Sequence, residues 1–319
     1  MSAAAPHARA GTGAAARVAV VGAGAVGCWF GGMLARAGVP VTLIGRPVHV
    51  EAMRRDGLRL TDATSDTHIP VDAGTSLAAV SGAALVLVCV KSTDTEATAT
   101  ELAPHLAPGA CVLSLQNGVD NAARLQASLR RPVAPAVVYV ACEMSGPGHV
   151  RHLGMGELVV PAELDAASML RSADVVALFA GAGVPVKLSD NVVGALWSKL
   201  LLNCGYNAIS AITQMTYGRM AATPALAQSV HDTVVECLGV AAALGVTLPG
   251  DIFAGVDRIA TSAAGQVSST CQDLRRGKPT EIDHLNGYIV REGDRLGIPV
   301  PLNRVLHALV KALETTTTA

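Results

Sequence analysis

The hydrophobic pattern of the first half of the chain alternates between short apolar runs and helix-like stretches. Arg17–Val21 is a β-branched run, and a helical stretch ending at Gly38 separates it from a second run at Val39–Ile44. Two further runs, Ala83–Val90 and Ala110–Leu115, are apolar almost throughout, as expected for strands buried on both faces. Short buried strands that alternate with helices predict an α/β fold with a doubly wound sheet of the Rossmann type.

Between residues 132 and 160 the pattern changes to strand-like runs separated by glycine-rich turns. This pattern predicts antiparallel hairpins that are added to the parallel sheet. A helix over 166–182 and a strand over 184–187 should complete this part of the chain. The expected N-terminal domain therefore spans residues 17–188.

From Val192 onward the strand signals stop, and apolar residues recur at helical spacing. Thr223-Pro224 resembles an N-cap residue followed by proline at the first helical position. We therefore expect a C-terminal, all-helical domain over residues 189–319. Residues 1–16 are rich in alanine and glycine and have no periodicity, which predicts a disordered leader.

The composition narrows the choice of partners. The net charge is −1, from 24 basic and 25 acidic residues, and no block of like charges occurs. A nucleic-acid partner is therefore not expected. The apolar stretch Val18–Ala35 contains five glycines and only just reaches the length of a membrane span, so no membrane partner is expected either.

The seven cysteines are widely spaced and form no C-x-x-C motif. This spacing indicates neither a disulfide framework nor a zinc site, and no metal is expected. Cysteines within apolar runs behave as small hydrophobic residues. Their use here is typical of a protein from a reducing cytoplasm.

A G-x-G-x-x-G sequence directly follows the first strand and opens the first helix. In this strand–turn–helix–strand setting it is typical of a dinucleotide-binding turn. Gly22 permits the tight turn, Gly24 lets the backbone approach a pyrophosphate, and Gly27 allows close packing of helix and strand. The helix N-terminus would offer unpaired N–H groups to the phosphates. The candidate cofactor-binding residues of this turn are Gly22, Ala23, Gly24, Ala25, Val26 and Gly27.

The residues that follow three of the strands supply further candidate contacts. NAD enzymes usually carry an acidic residue after the second strand, where it binds the ribose 2′-hydroxyl, but this chain has Arg46. A guanidinium can bind a 2′-phosphate, so the expected cofactor is NADPH. Lys91 and Asn117 follow the next two buried strands. Since doubly wound folds bind ligands at the carboxyl ends of their strands, both should face the cofactor cleft.

The first helix of the second half carries Lys199, Asn203 and Asn207 at positions i, i+4 and i+8. Each step rises ~6 Å and turns only ~40° about the helix axis, so the three side chains form one polar stripe. The rest of this helix is largely apolar, which favours a stripe that faces a cleft and holds a polar substrate. The open alternative is a helix that packs its two amides against backbone groups.

A second polar cluster follows further along the chain. Ser269 and Asp273 share one face of a helix. Thr280 could cap the next helix with Asp283 at its capping-box position, which would make Asp283 structural. Glu281 would then lie in the first helical turn, where the helix dipole favours a negative charge.

These segments together resemble the ketopantoate reductases, or 2-dehydropantoate 2-reductases, along nearly all of the chain after residue 16. The resemblance implies an oxidoreductase that uses NADPH to reduce a small 2-oxo acid to the 2-hydroxy acid. The implied substrate is ketopantoate or a close analogue, in pantothenate and coenzyme A biosynthesis. The matching segments are VGAGAVG, VCVKS, LQNGVDN, KLLLNCGYNAI and SSTCQDLRRGKPTEIDHLNGYIV.

The resemblance also implies a role for each candidate residue, with Lys199 as the general acid. Glu281 would be an acid at the junction of cofactor and substrate, and Asn117 would lie where the two meet and contact both. The remaining implied contacts are Asn203, Asn207 and Ser269 to substrate hydroxyl and carboxylate groups, and Arg46 and Lys91 to cofactor phosphates.

Two positions depart from the family pattern. Tyr217 stands where ketopantoate-specific members carry a third substrate asparagine, and the segment Val140–Glu143 near the nicotinamide also differs. Both departures bear on the substrate rather than on the reaction type. The alternatives are a related NADPH-dependent β-hydroxyacid or imine-type reductase and a non-catalytic NADPH sensor. The sequence leaves the oligomeric state open, although the helical domain is apolar enough to form a homodimer with a copy of itself.

Overall fold

The computed structural model describes residues 16–317 of the chain. The predicted leader, residues 1–16, lies outside the described residues except for its last position. The first part of the chain contains, in order, β1 (Val18–Val21), α1 (Ala25–Arg36), β2 (Val41–Ile44), α2 (Pro47–Asp56), β3 (Leu58–Thr61), β4 (Asp66–Ile69), β5 (Asp72–Gly74), β6 (Leu85–Val88), α3 (Thr95–Leu102), β7 (Cys111–Ser114), α4 (Asn121–Leu129), β8 (Ala134–Pro135), β9 (Val137–Gly146), β10 (His149–Pro161), α5 (Ser172–Gly181) and β11 (Val186–Ser189).

The described residues after β11 form helices joined by short loops, as the sequence predicts. A proline opens α8 at the expected position, although the hydroxyl of Thr223 donates to the backbone oxygen of Arg219 instead of capping the helix. Within residues 16–317, no helix has the length and apolar character needed to cross a bilayer. The helices are α6 (Val192–Thr213), α7 (Tyr217–Ala221), α8 (Pro224–Ala243), α9 (Ile252–Ser262), α10 (Ser269–Arg275), α11 (Asn286–Leu296) and α12 (Pro301–Thr317).

Six parallel strands form the first sheet, in the order β5-β2-β1-β6-β7-β8. Successive residues of β1 enter two different cores: Val18 and Val20 pack on the α1 side, and Ala19 and Val21 pack on the opposite side. A strand that is buried on both faces must be apolar throughout, which explains its uninterrupted run. The predicted Rossmann-type sheet followed by a helical region is confirmed.

The predicted placement of the hairpin strands is wrong. Strands β9 and β10 do not extend the parallel sheet; they form a second sheet with β3, β4 and β11, in the order β11-β10-β3-β4 with β9 paired to β10. The chain leaves the first sheet at Pro135, which has no N–H group to continue a ladder. The second sheet covers the outer side of α1, where Trp29 and Phe30 pack with Leu158 and Val160.

After the hairpin, the helix is shorter than predicted and the strand is displaced by two residues. The helix begins at Ser172 rather than at 166, because Asp165 forms a local turn in which its carboxylate accepts a hydrogen bond from the N–H of Ala167 at 2.9 Å. The following strand occupies Val186–Ser189 instead of 184–187. It pairs in parallel with the end of β10.

The helical part is organised around α6. This helix packs against α8, α9, α10 and α12, and its apolar side chains Leu200, Leu201 and Cys204 enter a core shared with α8, α9 and α11. The amide of Asn286 in α11 donates to the backbone oxygen of Cys204 at 3.1 Å. Helix α6 is thus fixed on most sides, and its remaining side faces the sheet domain.

Candidate active site

The glycine-rich turn between β1 and α1 has little room for side chains. Gly22 has φ of +105°, and a Cβ there would lie 2.7 Å from the backbone of Cys89 and Val90. A Cβ on Gly27 would lie 2.2 Å from the Gly22 carbonyl oxygen. At Gly24, by contrast, nothing lies within 4 Å of a Cβ, so this glycine opens onto the cleft. The turn therefore fits the close approach of a pyrophosphate to the N-terminus of α1.

Two cations without a protein partner lie at the edge of the cleft beyond this turn. Arg46 directly follows β2, and Lys278 comes from the loop after α10. Neither side chain forms a hydrogen bond or ion pair within residues 16–317, whereas the neighbouring Arg276 binds Glu143 at 2.6 Å. Burial, followed by the charges of Arg46 and Arg276, lowers the pKa of the Lys278 ammonium. An anion placed here would relieve an existing repulsion.

Lys278 was not among the candidates from the sequence. Its basic neighbours in the segment RRGKP were visible, but such a run is usually a solvated surface. The turn that follows α10 places Lys278 at the cleft. In this turn Gly277 has φ of +60°, and the Lys278 N–H donates to the Asp273 backbone oxygen at 2.9 Å. This reversal returns the chain to the cleft.

A partly buried ionic network, with Glu281 at its buried end, joins the two parts of the chain at the centre of the cleft. Lys91, at the end of β6, forms an ion pair with Asp273 and lies 4.0 Å from Glu281. Glu281 accepts hydrogen bonds from the N–H and the hydroxyl of Ser92, at 3.0 and 2.8 Å. Its other oxygen accepts one from the Asn117 amide at 3.2 Å. Burial opposes ionisation, but Lys91 and these donors lower the pKa of the Glu281 carboxyl, which therefore stays ionised.

Lys199 lies next to this network, on α6. Its ammonium donates to Asn117 Oδ1 at 2.9 Å and to the backbone oxygen of Val138 at 2.5 Å. Burial lowers the pKa of Lys199 to about 8, although the charge of Glu281 opposes the shift. An ammonium with such a pKa can give up a proton near neutral pH, which free lysine does poorly.

The polar stripe on α6 faces the same cleft. The side chains of Asn203, Asn207 and Ser269 form no hydrogen bonds within residues 16–317, although Asn207 is only 4% exposed. Neither amide packs against backbone, so that alternative is wrong. Ser268 positions the cluster, because its hydroxyl caps α10 and donates to the Asn207 backbone oxygen at 3.0 Å. A buried amide left unpaired, as that of Asn207 is, indicates a ligand with complementary groups.

The cleft between the two parts has a volume of about 2220 Å³. Pockets for single small ligands usually measure ~300–1,000 Å³, so this one can hold a dinucleotide together with a small substrate. The candidate residues lie along its wall, with the exception of Gly27, which packs under the turn. Those on the wall are Gly22, Ala23, Gly24, Ala25, Val26, Arg46, Lys91, Asn117, Lys199, Asn203, Asn207, Ser269 and Glu281.

The local structure predicted around Glu281 is wrong. No α-helix begins at Thr280; a short 3-10 turn follows, and the Thr280 hydroxyl donates to Glu314 at 2.6 Å. Asp283 forms no capping box, since its carboxylate binds His307 and Lys311 of α12 at 2.6 and 3.0 Å. Asp283 is thus structural, as expected, but through a different contact. Glu281 precedes the turn and points inward, towards Ser92.

Two family models match the chain. One, described as "Ketopantoate reductase PanE/ApbA", matches residues 18–163, and one described as "Ketopantoate reductase PanE/ApbA C terminal" matches residues 191–314. The curated "2-dehydropantoate 2-reductase" of Halobacterium salinarum is 34% identical over 302 residues, covering 92% of this chain and 98% of the relative. The protein of the same name from Archaeoglobus fulgidus is 31% identical over 304 residues, covering 93% and 98%.

Solved structures of similar proteins share the whole architecture. The crystal structure of a "PanE/ApbA family ketopantoate reductase" from Ralstonia eutropha JMP134 has a TM-score of 0.89 and 56% identity, covering 95% of this chain and all of that one. A ternary structure of D-mandelate dehydrogenase with NADH and anilino(oxo)acetate has a TM-score of 0.87, with 95% of this chain and all of that one covered. At 24% identity, the latter shows a common fold alone.

Proposed function

The chain belongs to the ketopantoate reductase family of NAD(P)-dependent oxidoreductases, and from this premise we propose that it reduces a 2-oxo acid to the 2-hydroxy acid with NADPH. The observation that carries the proposal is the position of Lys199. Its ammonium, with a pKa lowered to about 8, lies in the same cleft as the dinucleotide-binding turn and beside the unpaired side chains of Asn203 and Asn207. A proton donor at this junction serves a reaction in which a carbonyl oxygen becomes a hydroxyl.

The cofactor is held by the turn and by the two unpaired cations. The turn at Gly22 and Gly24 would bind the pyrophosphate. Arg46 and Lys278 would bind the 2′-phosphate of the adenosine ribose, which favours NADPH over NADH because NADH lacks this group. When bound, the nicotinamide supplies a hydride for the keto carbon. Lys91, which Asp273 and Glu281 fix in place, would contact the cofactor between these two ends.

The substrate is held by the stripe. A 2-oxo acid carries a carboxylate and a keto oxygen, which need several hydrogen-bond donors close together. The unpaired side chains of Asn203, Asn207 and Ser269 supply them beside Lys199. The relatives' name makes ketopantoate the first substrate to test, and its product, pantoate, would enter pantothenate and coenzyme A biosynthesis.

Lys199 would act as the general acid. Asn117 holds its ammonium through Oδ1, and Glu281 fixes the other end of the same amide. Since the Asn117 amide donates to Glu281, its oxygen must point to Lys199, which orients one N–H and leaves another for the substrate oxygen. Glu281 thus positions the acid and keeps its pKa from falling further.

The proposal is tested by following NADPH absorbance at 340 nm with a panel of 2-oxo acids. Turnover of at least one of them, lost in Lys199→Ala, is expected. NADPH binding without oxidation by any 2-oxo acid would instead support the sensor hypothesis. Turnover confined to 3-oxo acids or imines would support the related-reductase hypothesis.

We also propose that the protein forms a homodimer through its helical part. Val235 on α8 and Val305 and Leu309 on α12 are exposed by 46%, 54% and 46%, and the two helices pack side by side. Val305 and Leu309 are four positions apart and so share one face of α12, and an exposed apolar face favours self-association. Light scattering should give twice the chain mass, and Leu309→Asp should give a monomer that retains its NADPH affinity. A wild-type monomer at micromolar concentration would contradict this.

A further inference from the structure

Tyr217 closes the substrate end of the cleft. It is the first residue of α7, and its N–H donates to the Gln266 backbone oxygen at 2.9 Å. The next residue, Gly218, donates to the Ala264 backbone oxygen at 2.9 Å. The Tyr217 ring packs edge-on against Tyr206 of α6, with 5.1 Å between ring centroids. Three elements therefore fix the ring where it lines the same cleft as Asn207.

The surroundings of this ring are apolar. Tyr217 belongs to a hydrophobic cluster that contains Tyr206, Ile209 and Met220 in its core. Ile259 of α9 packs on the same cluster and also lines the cleft. The Tyr217 hydroxyl forms no hydrogen bond within residues 16–317, and burial raises the pKa of this phenol, so it stays neutral.

The number of polar groups at this end limits what a substrate can carry. A carboxylate and a keto oxygen together use Lys199, Asn203, Asn207 and Ser269, the donors described above. Beyond them the wall carries Tyr217 and Ile259, and the side chains of Gln266 and Gln272 also line the cleft. A further substrate hydroxyl placed against the Tyr217 ring and Ile259 would lose its hydration there, which costs free energy.

We propose, on the basis of the proposed function, that the substrate is a 2-oxo acid with an apolar side chain, branched or aromatic, and that Tyr217 selects it. The ring offers a flat apolar surface for such a side chain. Ketopantoate, whose side chain ends in a hydroxyl, is then a poorer substrate than the same acid without that hydroxyl.

A matched pair of substrates tests this selection. Ketopantoate and 3,3-dimethyl-2-oxobutanoate differ only in one hydroxyl group, and phenylglyoxylate adds an aromatic side chain. The expected kcat/KM for 3,3-dimethyl-2-oxobutanoate exceeds that for ketopantoate by roughly 10- to 100-fold, the range in which apolar pockets discriminate against a hydroxyl. Phenylglyoxylate should also be preferred over ketopantoate.

Two variants at Tyr217 separate its ring from its hydroxyl. Tyr217→Phe should keep the preference, whereas Tyr217→Asn should lower it by about tenfold or more while the KM for NADPH is unchanged. A wild-type preference for ketopantoate, or loss of the preference in Tyr217→Phe, would overturn the proposal, because the hydroxyl would then be the recognition group. If Tyr217→Asn does not fold, the substrate preferences of the wild type and of Tyr217→Phe still test the proposal. Failure to reduce any 2-oxo acid would instead overturn the proposed function.

Discussion

The Lys199 ammonium and the Asn117 side chain meet at 2.9 Å across the cleft, so that α6 is joined to the loop after β7. Because Asn117 also binds Glu281, one amide connects the candidate acid to a buried carboxylate that lies 164 positions after Asn117 in sequence. Removal of any of the three groups should therefore affect the same proton.

Replacing Lys199 with alanine should lower kcat by roughly 10²- to 10⁴-fold, the usual contribution of a positioned general acid. NADPH affinity, measured by quenching of protein fluorescence, should stay within a few-fold, because the turn at Gly22–Gly27 is untouched. Arg55→Ala is the control, since this exposed arginine of α2 pairs with Asp56 and does not line the cleft. Turnover in Lys199→Ala within a few-fold of the wild type would show that another group donates the proton.

The pH profile should report the pKa of Lys199. The acid acts in its protonated form, so kcat should be constant at lower pH and fall as the pH rises through about 8. The charge of Glu281 raises this pKa, and Glu281→Gln should therefore move the midpoint to lower pH as well as lowering kcat. A lower kcat with an unmoved midpoint would assign Glu281 a purely structural role.

The two unpaired cations should determine cofactor preference. Arg46→Ala should raise the KM for NADPH by roughly 10- to 150-fold, corresponding to ~1.5–3 kcal/mol for a charge-assisted contact, and change that for NADH little. Lys278→Ala should act in the same direction, and the double variant should show coupling between the two. The exposed Arg55, which pairs with Asp56, supplies the control variant Arg55→Ala. Equal effects on both cofactors would contradict the assignment.

Substitution of two glycines of the turn should affect different properties, stability at Gly27 and NADPH binding at Gly24. Gly27→Ala places a methyl group 2.2 Å from a carbonyl oxygen, and the free energy of unfolding should fall by about 1–3 kcal/mol. At Gly24 a methyl group meets only open space, so Gly24→Ala should leave the melting temperature of the ligand-free protein unchanged and weaken NADPH binding. Thermal denaturation with and without NADPH measures both. A stability loss at Gly24 equal to that at Gly27 would argue against its proposed contact with the cofactor.

Features that depend on spacing within one or two adjacent elements could be predicted from the sequence. The glycine turn, the doubly buried strands and the stripe from Lys199 to Asn207 are of this kind. Each follows from local geometry: a turn that admits only glycine, a strand with two covered faces, or a helix with 3.6 residues per turn.

Features that depend on residues far apart in sequence could not be predicted. The second sheet requires β10 to pair with β3, as between His149 and Arg59, and no local pattern specifies that partner. Lys278 becomes a candidate cofactor contact only because the fold places it near Arg46. The environment of Glu281 depends on Ser92, so the capping-box pattern around it was misleading. One indication was available: α1 is apolar nearly all round, which a helix covered on only one side does not need.

The position of α1 between two sheets has a mechanical consequence. A helix held on both sides cannot slide or tilt without breaking both interfaces, and close-packed interiors resist such motion. The wall of the cleft that carries the proposed pyrophosphate-binding turn is therefore the fixed wall. Any opening and closing around a cofactor has to be carried by the opposite wall, where α10 and the loop bearing Lys278 lie.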